Sequence, residues 1–201
     1  MLGGTFNPPT LGHLAIARHA RQQLALDRVV LMPAAAPPHK QVADDPGPQV
    51  RLKMCELLVH GAEGVGVCDL ETRREGPSYT VDTLQELHAR HPETELTFIV
   101  GADVASTLPA WREPRELLSL ARLAVAARPG SDRGEVLDAL ASVDGASERV
   151  CFLDAPLIDV SSSRARERAA AGQRIDRLVG GEVAEFVREH ALYGARVGTA
   201  G

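Results

Sequence analysis

The residues best suited to chemistry lie at positions 3–13 and read GGTFNPPTLGH. Gly3 and Gly4 let the backbone turn tightly and approach an anion closely. An alanine-, leucine- and arginine-rich helical stretch follows at once, so Gly12 and His13 lie where a helix should begin. Free N–H groups and the positive dipole end of a helix terminus attract phosphate, and an imidazole there can also donate a hydrogen bond. The segment therefore predicts a phosphate site.

This segment, the N-terminal turn (residues 3–13), matches neither common nucleotide fingerprint. A P-loop ends in Gly-Lys-Ser/Thr, and a dinucleotide loop reads G-x-G-x-x-G. What the turn carries is T-x-G-H, at Thr10, Gly12 and His13. With the preceding Gly-Gly-Thr-Phe-Asn-Pro, it resembles the signature of the H/T-x-G-H nucleotidyltransferase superfamily. The closest resemblance is to the bacterial nicotinate-nucleotide adenylyltransferases, in which threonine is an accepted variant of the first histidine.

Five further stretches match the same family in the same order, so the resemblance covers nearly the whole chain. They are PPHK at 37–40, GPSYTVDTL at 76–84, FIVGAD at 98–103, Trp111, and VSSSRAR at 160–166. Any one of these stretches is a weak signal, but five in register argue against coincidence.

The resemblance implies that the adenylyl group of ATP is transferred to nicotinate mononucleotide, giving nicotinate adenine dinucleotide and pyrophosphate in NAD synthesis. A phosphate oxygen attacks the α-phosphorus and pyrophosphate leaves in line, without a covalent enzyme intermediate. The protein then has to align the reactants and stabilise charge on the pentacoordinate phosphorus. Magnesium is expected as the ion carried by ATP, and it needs few protein ligands, so we assign it none.

The candidate site residues form three groups. The catalytic candidates are His13, Thr10, Lys40 and Arg166. The ATP-binding candidates are Gly3, Gly4, Thr5, Phe6, Gly12, Gly101, Asp103, Ser161, Ser162 and Ser163. The candidates for binding nicotinate mononucleotide are Thr80, Tyr79 and Trp111.

Several of these roles come from the resemblance. It implies that Lys40 brings an ammonium group to the phosphates, and that the serine-rich turn with Arg166 holds the β- and γ-phosphates. It also implies that Trp111 stacks on the pyridine ring and that Thr80 lies near the nicotinate carboxylate. Backbone N–H groups there favour the acid over the amide, because an amide NH₂ facing a donor leaves a buried group unpaired.

Simpler interpretations of some residues stay open at this point. Asp103 follows a predicted strand and either meets ribose hydroxyls or magnesium-bound water, or only caps a helix. Lys40 could be a solvated loop lysine, and Arg164 is expected to be exposed. The charged run at 71–75 is predicted to be solvated.

Composition limits the classes of partner and compartment. The chain has 201 residues, 44% of them hydrophobic, and a formal net charge of −5, so no basic surface for nucleic acid is expected. No run of about 18 apolar residues predicts a membrane span. The three cysteines, Cys55, Cys68 and Cys151, are odd in number and widely spaced without a C-x-x-C motif, so neither a disulfide framework nor a zinc cluster is suggested. This favours the cytoplasm. A homo-oligomer is possible.

Strand-like and helical patterns alternate along the chain. Strands are predicted at 28–32, 65–69, 96–100, 123–127 and 150–153, and helices at 50–60, 80–90, 104–108, 114–118, 133–142, 161–171 and 181–190. The alternation predicts an α/β fold with a dinucleotide-fold-like parallel sheet, helices on both faces and ligands at the carboxyl ends of the strands. We expect one nucleotidyltransferase domain over 1–193, a mobile loop at 33–48 and a disordered tail at 194–201.

One feature conflicts with this architecture. The glycine-rich turn should follow a buried central strand, yet only Met1 and Leu2 precede Gly3. A normal strand needs about five residues. We therefore expect the first strand to be truncated, with the true start upstream.

Two other classes of function stay open. Another adenylyltransferase of the superfamily would use phosphopantetheine or nicotinamide mononucleotide as acceptor, although residues 76–84 and Trp111 resemble the nicotinate branch. A nucleotide-binding relative without catalysis is favoured by Asn7, where relatives often carry aspartate, and opposed by the intact His13, Lys40 and Arg166.

Overall fold

The computed structural model describes residues 1–36, 44–127, 133–154 and 160–195. Within these residues, six strands form one sheet in the order β3-β2-β1-β4-β5-β6, and every neighbouring pair is parallel. The strands are β1 Leu2–Gly4, β2 Val29–Pro33, β3 Val65–Val67, β4 Leu96–Gly101, β5 Ala121–Ala126 and β6 Val150–Leu153. The predicted parallel, dinucleotide-fold-like sheet is thus confirmed.

Helices connect successive strands, and three more helices follow β6 in the residues that the structure describes. They are α1 Leu11–Gln23, α2 Pro48–Val59, α3 Thr80–Arg90, α4 Ala102–Ala105, α5 Pro114–Leu120, α6 Arg133–Leu140, α7 Ala146–Arg149, α8 Ser162–Ala170, α9 Asp176–Val179 and α10 Gly181–Glu189. Short 3₁₀ turns lie at Leu108–Ala110 and Leu192–Gly194. No helix in the described part of the chain is long and apolar enough to cross a membrane.

The period of two along the strands divides the buried side chains between two cores. On β4, Ile99 belongs to one core, while Phe98 and Val100 belong to the other. On β5, Ala124 lies in the first core and Leu123 in the second. The first core includes side chains of α1, α2, α8, α9 and α10, and the second includes side chains of α3, α5 and α6. Helices therefore cover both faces, as predicted.

The first strand is short but present. β1 pairs with β2 through Leu2, Gly3 and Gly4, and its Leu2 is paired with Ile99 of β4. The Ile99 N–H also donates to the Met1 carbonyl at 2.8 Å. The truncation expected from the sequence is seen as a strand of three residues, which still pairs with the longer β2 and β4 on either side.

The strand order places the N-terminal turn at the centre of one sheet edge. The connections run outward from β1 to β2 and β3, whereas β4, β5 and β6 extend from the other side of β1. In such sheets the crevice where the order reverses, beyond the carboxyl ends of the strands, is where ligands bind. The residues after Gly4 of β1 and after Gly101 of β4 lie at this point.

Two predictions concern residues that the structure describes only in part. The predicted loop at 33–48 includes residues 37–43, and the predicted tail includes residues 196–201, which lie outside the described residues. Gly194 belongs to the last 3₁₀ turn, and the Ala195 N–H donates to the Leu192 carbonyl at 2.9 Å.

Candidate active site

The glycines that open the N-terminal turn are required by close packing. A Cβ atom on Gly3 would lie 2.8 Å from Cε2 of Phe98, and one on Gly4 would lie 3.1 Å from Cζ of Phe6. Phe6 is itself buried and has a left-handed φ of 53°. Gly3 thus leaves room for the Phe98 ring, and Gly4 lets the Phe6 ring fold back over the end of β1.

His13 is held in one tautomer by the start of α1. Its Nδ1 accepts a hydrogen bond from the Thr10 backbone N–H at 2.9 Å, so this nitrogen carries no proton and Nε2 is the donor. The Thr10 hydroxyl lies 2.9 Å from the same nitrogen. The Phe6 ring meets the imidazole edge-on at 5.0 Å between centroids. Burial lowers the pKa of His13 to about 4, which keeps the ring neutral near pH 7.

The lowered pKa of His13 predicts how the stability of the protein depends on pH. The folded-state pKa of His13 lies below the ordinary value of 6.5, so the stabilisation of the neutral ring is complete above pH 6.5 and is lost as pH falls towards 4. Lowering the pH from 7.5 to 4.5 should therefore reduce the free energy of unfolding by about 2 to 3 kcal/mol through protonation of His13. Urea unfolding of the wild type and of His13→Asn at both pH values measures this loss of stability. An equal loss of unfolding free energy in the two proteins would refute the prediction.

The serine-rich turn contacts the N-terminal turn directly. Ser161 is the N-cap of α8, and its hydroxyl accepts from the Arg164 N–H at 3.2 Å. Ser162 donates from its hydroxyl to the Pro8 carbonyl at 2.7 Å. A Cβ atom on Gly12 would lie 2.9 Å from Cγ2 of Val160, so the starts of α1 and α8 pack against each other. Two sets of helix N-terminal N–H groups are thereby brought together.

Asn7 is held by Arg166 and by Tyr193, which was not among the residues predicted from the sequence. The Arg166 Nη1 donates to the Asn7 carbonyl at 2.8 Å, and its Nη2 lies 3.4 Å from the Ser163 hydroxyl. The Tyr193 hydroxyl donates to Oδ1 of Asn7 at 2.7 Å. Tyr193 is 186 positions away along the chain, so no local pattern links it to the turn. Arg164 is exposed, as predicted.

At the end of β4, Asp103 does not cap the helix. The N-cap of α4 is Gly101, and Asp103 lies in the first turn. A Cβ atom on Gly101 would lie 2.7 Å from Oδ1 of Asp103, so the carboxylate folds over this glycine. Asp103 is exposed. It lies at the carboxyl end of β4, beside the end of β1, where a ribose hydroxyl or magnesium-bound water could reach it.

Tyr79 and Trp111, proposed for the mononucleotide, belong to two neighbouring segments. Tyr79 is the N-cap of α3, and the guanidinium of Arg112 lies over its ring at 5.0 Å. Arg112 also donates to Asp82 at 3.2 Å. Trp111 is half-buried, donates to the Thr107 hydroxyl at 3.0 Å and lies 6.1 Å from the Phe98 ring centroid. Arg112 thus links the Tyr79 turn to the tryptophan segment.

Thr80 is the first residue of α3 and is partly buried. It lies where the leading N–H groups of this helix lack partners within the helix. This position suits the proposed recognition of a carboxylate by backbone N–H groups.

The charged run after β3 is only partly solvated, contrary to prediction. Glu71 is 5% exposed and accepts from the Thr83 hydroxyl at 2.8 Å. Burial raises the pKa of Glu71, while hydrogen bonds from Thr83 and Ser78 and the charge of Arg74 oppose this rise. Arg74 also pairs with Glu86. Tertiary packing of α3 against this segment turns a polar run into a buried network.

The role of Lys40 and the magnesium expected with ATP remain predictions. Lys40, a catalytic candidate, lies outside the described residues. Within the part of the chain that the structure describes, no group of three or more His, Cys, Asp or Glu side chains is arranged to hold a metal ion.

Comparison with known proteins defines the class to which this fold and site belong. The chain belongs to the cytidylyltransferase-like family, whose model matches residues 1–168. It is 40% identical to a probable nicotinate-nucleotide adenylyltransferase of Synechococcus sp., over 96% of this chain and 93% of that protein. It is 39% identical to a protein of the same name from Citrifermentans bemidjiense, over 96% of both chains. The resemblance based on sequence motifs is confirmed.

Solved structures agree on the fold. Plasmodium falciparum nicotinic acid mononucleotide adenylyltransferase complexed with NaAD superposes with a TM-score of 0.78 at 16% identity. The match covers 98% of this chain and 97% of that chain. A putative nicotinate-nucleotide adenylyltransferase from Vibrio parahaemolyticus matches with a TM-score of 0.67 at 18% identity, over 98% of this chain and 94% of that one.

Proposed function

We propose that this chain transfers the adenylyl group of ATP to nicotinate mononucleotide, releasing pyrophosphate and nicotinate adenine dinucleotide. The observation that carries the proposal is the neutral His13, whose tautomer leaves Nε2 as donor at the start of α1. Its helix lies at the point where the strand order reverses, and α8 packs against it. The names of the relatives support the same reaction.

The reaction would proceed by alignment and charge stabilisation. We assign Nε2 of His13 and the backbone N–H groups of residues 4–6 to the α-phosphate. The buried Thr10 hydroxyl, 2.9 Å from Nδ1, is assigned to holding the His13 ring. The serines at the start of α8 and Arg166 are assigned to the β- and γ-phosphates. A donor aimed at charge that develops on the phosphorus lowers the barrier without moving during the reaction. Lys40 is proposed to contribute a further cation.

Magnesium would enter with ATP. When bound to the triphosphate, it neutralises charge on the phosphate oxygens. We propose no protein ligand for it beyond water-mediated contact with Asp103. The three free thiols favour a reducing compartment, and we propose the cytoplasm. A homo-oligomer stays a prediction.

A pyrophosphate-release assay tests the reaction. Purified protein with Mg-ATP should release pyrophosphate with nicotinate mononucleotide, more slowly with nicotinamide mononucleotide, and not with phosphopantetheine. Chelation of magnesium should stop the reaction. Release with phosphopantetheine alone would assign a different acceptor, and ATP binding without release with any acceptor would indicate a relative without catalysis.

Trp111 provides a prediction about the acceptor. Trp111→Ala should raise the KM for nicotinate mononucleotide about tenfold and leave the KM for ATP unchanged, because a stacked aromatic pair is worth about 1 kcal/mol beyond its buried area. Trp111→Phe is the matched control and should recover most of the affinity. Steady-state kinetics with each substrate varied measures both constants; an equal rise in both would contradict the assignment.

A further inference from the structure

Arg51 is a fully buried cation with partners in three separate segments. It lies in α2, and its side chain is 0% exposed. Nε donates to the Asp45 carboxylate at 2.9 Å, Nη1 to the Thr5 carbonyl at 2.7 Å and Nη2 to the Ala35 carbonyl at 3.0 Å. A buried charge is tolerated only when it is paired and hydrogen-bonded. This arrangement uses all three guanidinium nitrogens.

The contact with Thr5 sets the direction of one amide in the N-terminal turn. The peptide between Thr5 and Phe6 is trans, since the cis bond in the described residues is Asn7–Pro8. In a planar trans peptide, the C=O and N–H bonds point in opposite directions. Because Arg51 holds the Thr5 carbonyl, the Phe6 N–H must point away from α2. This N–H is one of the donors assigned above to the α-phosphate.

The contact with Ala35 connects Arg51 to the turn proposed to bind nicotinate mononucleotide. The Ala35 N–H donates to the Ser78 hydroxyl at 3.0 Å, and the Ser78 N–H donates to the Ala36 carbonyl at 2.9 Å. Ser78 immediately precedes Tyr79, the N-cap of α3. One guanidinium thus connects the turn proposed for ATP, through a single residue, to the turn proposed for the acceptor.

We infer that Arg51 is a positioning residue. It fixes the position of the N-terminal turn relative to the turn at Ser78 and Tyr79, so that the acceptor attacks in line. This inference rests on the proposed function. Reaction rates depend steeply on such alignment, and a displacement of about 1 Å can cost about 10²-fold. Lysine cannot replace the group, because a single ammonium cannot reproduce the planar fork that spans the two carbonyls.

The decisive variant is Arg51→Lys. It keeps the positive charge and removes the planar guanidinium that donates to the Thr5 and Ala35 carbonyls. We expect its kcat to fall 10- to 100-fold, on the scale of about 10²-fold per ångström of misalignment, while the KM values for ATP and nicotinate mononucleotide change much less. The matched control is Leu140→Ala in α6, which is buried in the second core and should lower stability without touching either turn. Rates are compared at equal folded fraction, measured by circular dichroism.

The outcomes separate this inference from the proposed function. An inactive wild type would refute the function itself. An active wild type with an equally active, folded Arg51→Lys would refute the positioning role, as would an equal loss of kcat in Leu140→Ala. If Arg51→Lys does not fold, Ser78→Ala decides the question, because it removes the link at Ala35 together with a hydrogen bond to Glu71. Thr83→Val is its control, since it removes a hydrogen bond to Glu71 and leaves the link at Ala35. A lower kcat at unchanged KM in Ser78→Ala alone supports the inference, and an unchanged kcat in Ser78→Ala or an equal loss in both variants overturns it.

Discussion

Replacing His13 by alanine is expected to lower kcat by about 10²-fold or more, the usual cost of removing a donor that stabilises charge in a transition state. The variant removes the Nε2 donor, and it also removes the acceptor of the Thr10 N–H. These two effects can be separated. The second affects the start of α1, and losing such a capping contact costs about 1 kcal/mol of stability.

His13→Asn is the variant that separates them. The asparagine Oδ1 can accept from the Thr10 N–H, as Nδ1 does, but no donor reaches the position of Nε2. We expect its turnover to be as low as that of His13→Ala at near wild-type stability. His19→Ala, at a half-buried position on the same helix, removes a side chain that pairs with Gln23 and should keep full turnover. Wild-type turnover in His13→Asn would remove His13 from the mechanism.

Substitution of Arg166 is expected to have the second large effect. Arg166→Ala should reduce kcat/KM for ATP about 10²-fold, for two reasons. It removes a charge-assisted contact proposed for the triphosphate, and it frees the Asn7 carbonyl that Arg166 holds at 2.8 Å. Arg166→Lys should recover only part of the loss, because lysine lacks the fork that reaches both Asn7 and Ser163.

The matched control for this prediction lies two positions earlier in the same helix. Arg164 is exposed, and Arg164→Ala carries the same change of charge. Its kcat/KM for ATP should stay close to that of the wild type. Kinetics at varied ATP and saturating nicotinate mononucleotide measure all three variants. Equal losses in the alanine variants at 164 and 166 would show that net charge near α8, rather than the position of Arg166, governs ATP use.

The sequence predicted regular elements well wherever their periodicity was long or was sharply bounded. Helix α3 and strand β6 begin and end at the predicted residues, 80–90 and 150–153. The helix predicted at 104–108 is instead α4, which spans Ala102–Ala105, followed by a 3₁₀ turn. Helices α7 and α9 were not predicted, because four residues are too few for a helical period.

The candidate site was predictable where residues act near their own sequence neighbours. Thr10 and His13 are three positions apart, and Ser161 caps the helix that its own motif starts. Tyr193 and Arg51 could not be found this way. Their contacts with the turn span 186 and 46 positions, and a single arginine or tyrosine in an amphipathic stretch has no distinguishing pattern. The fold alone brings these donors to the turn.

The central claim is that the N-terminal turn holds ATP with its α-phosphorus facing the acceptor. A crystal structure of the protein with magnesium and a non-hydrolysable ATP analogue tests this most directly. We expect α-phosphate oxygens within about 3 Å of Nε2 of His13 and of the Phe6 backbone nitrogen, with the β- and γ-phosphates against the start of α8. A triphosphate bound away from His13, or an adenine ring in the place of the α-phosphate, would contradict the account.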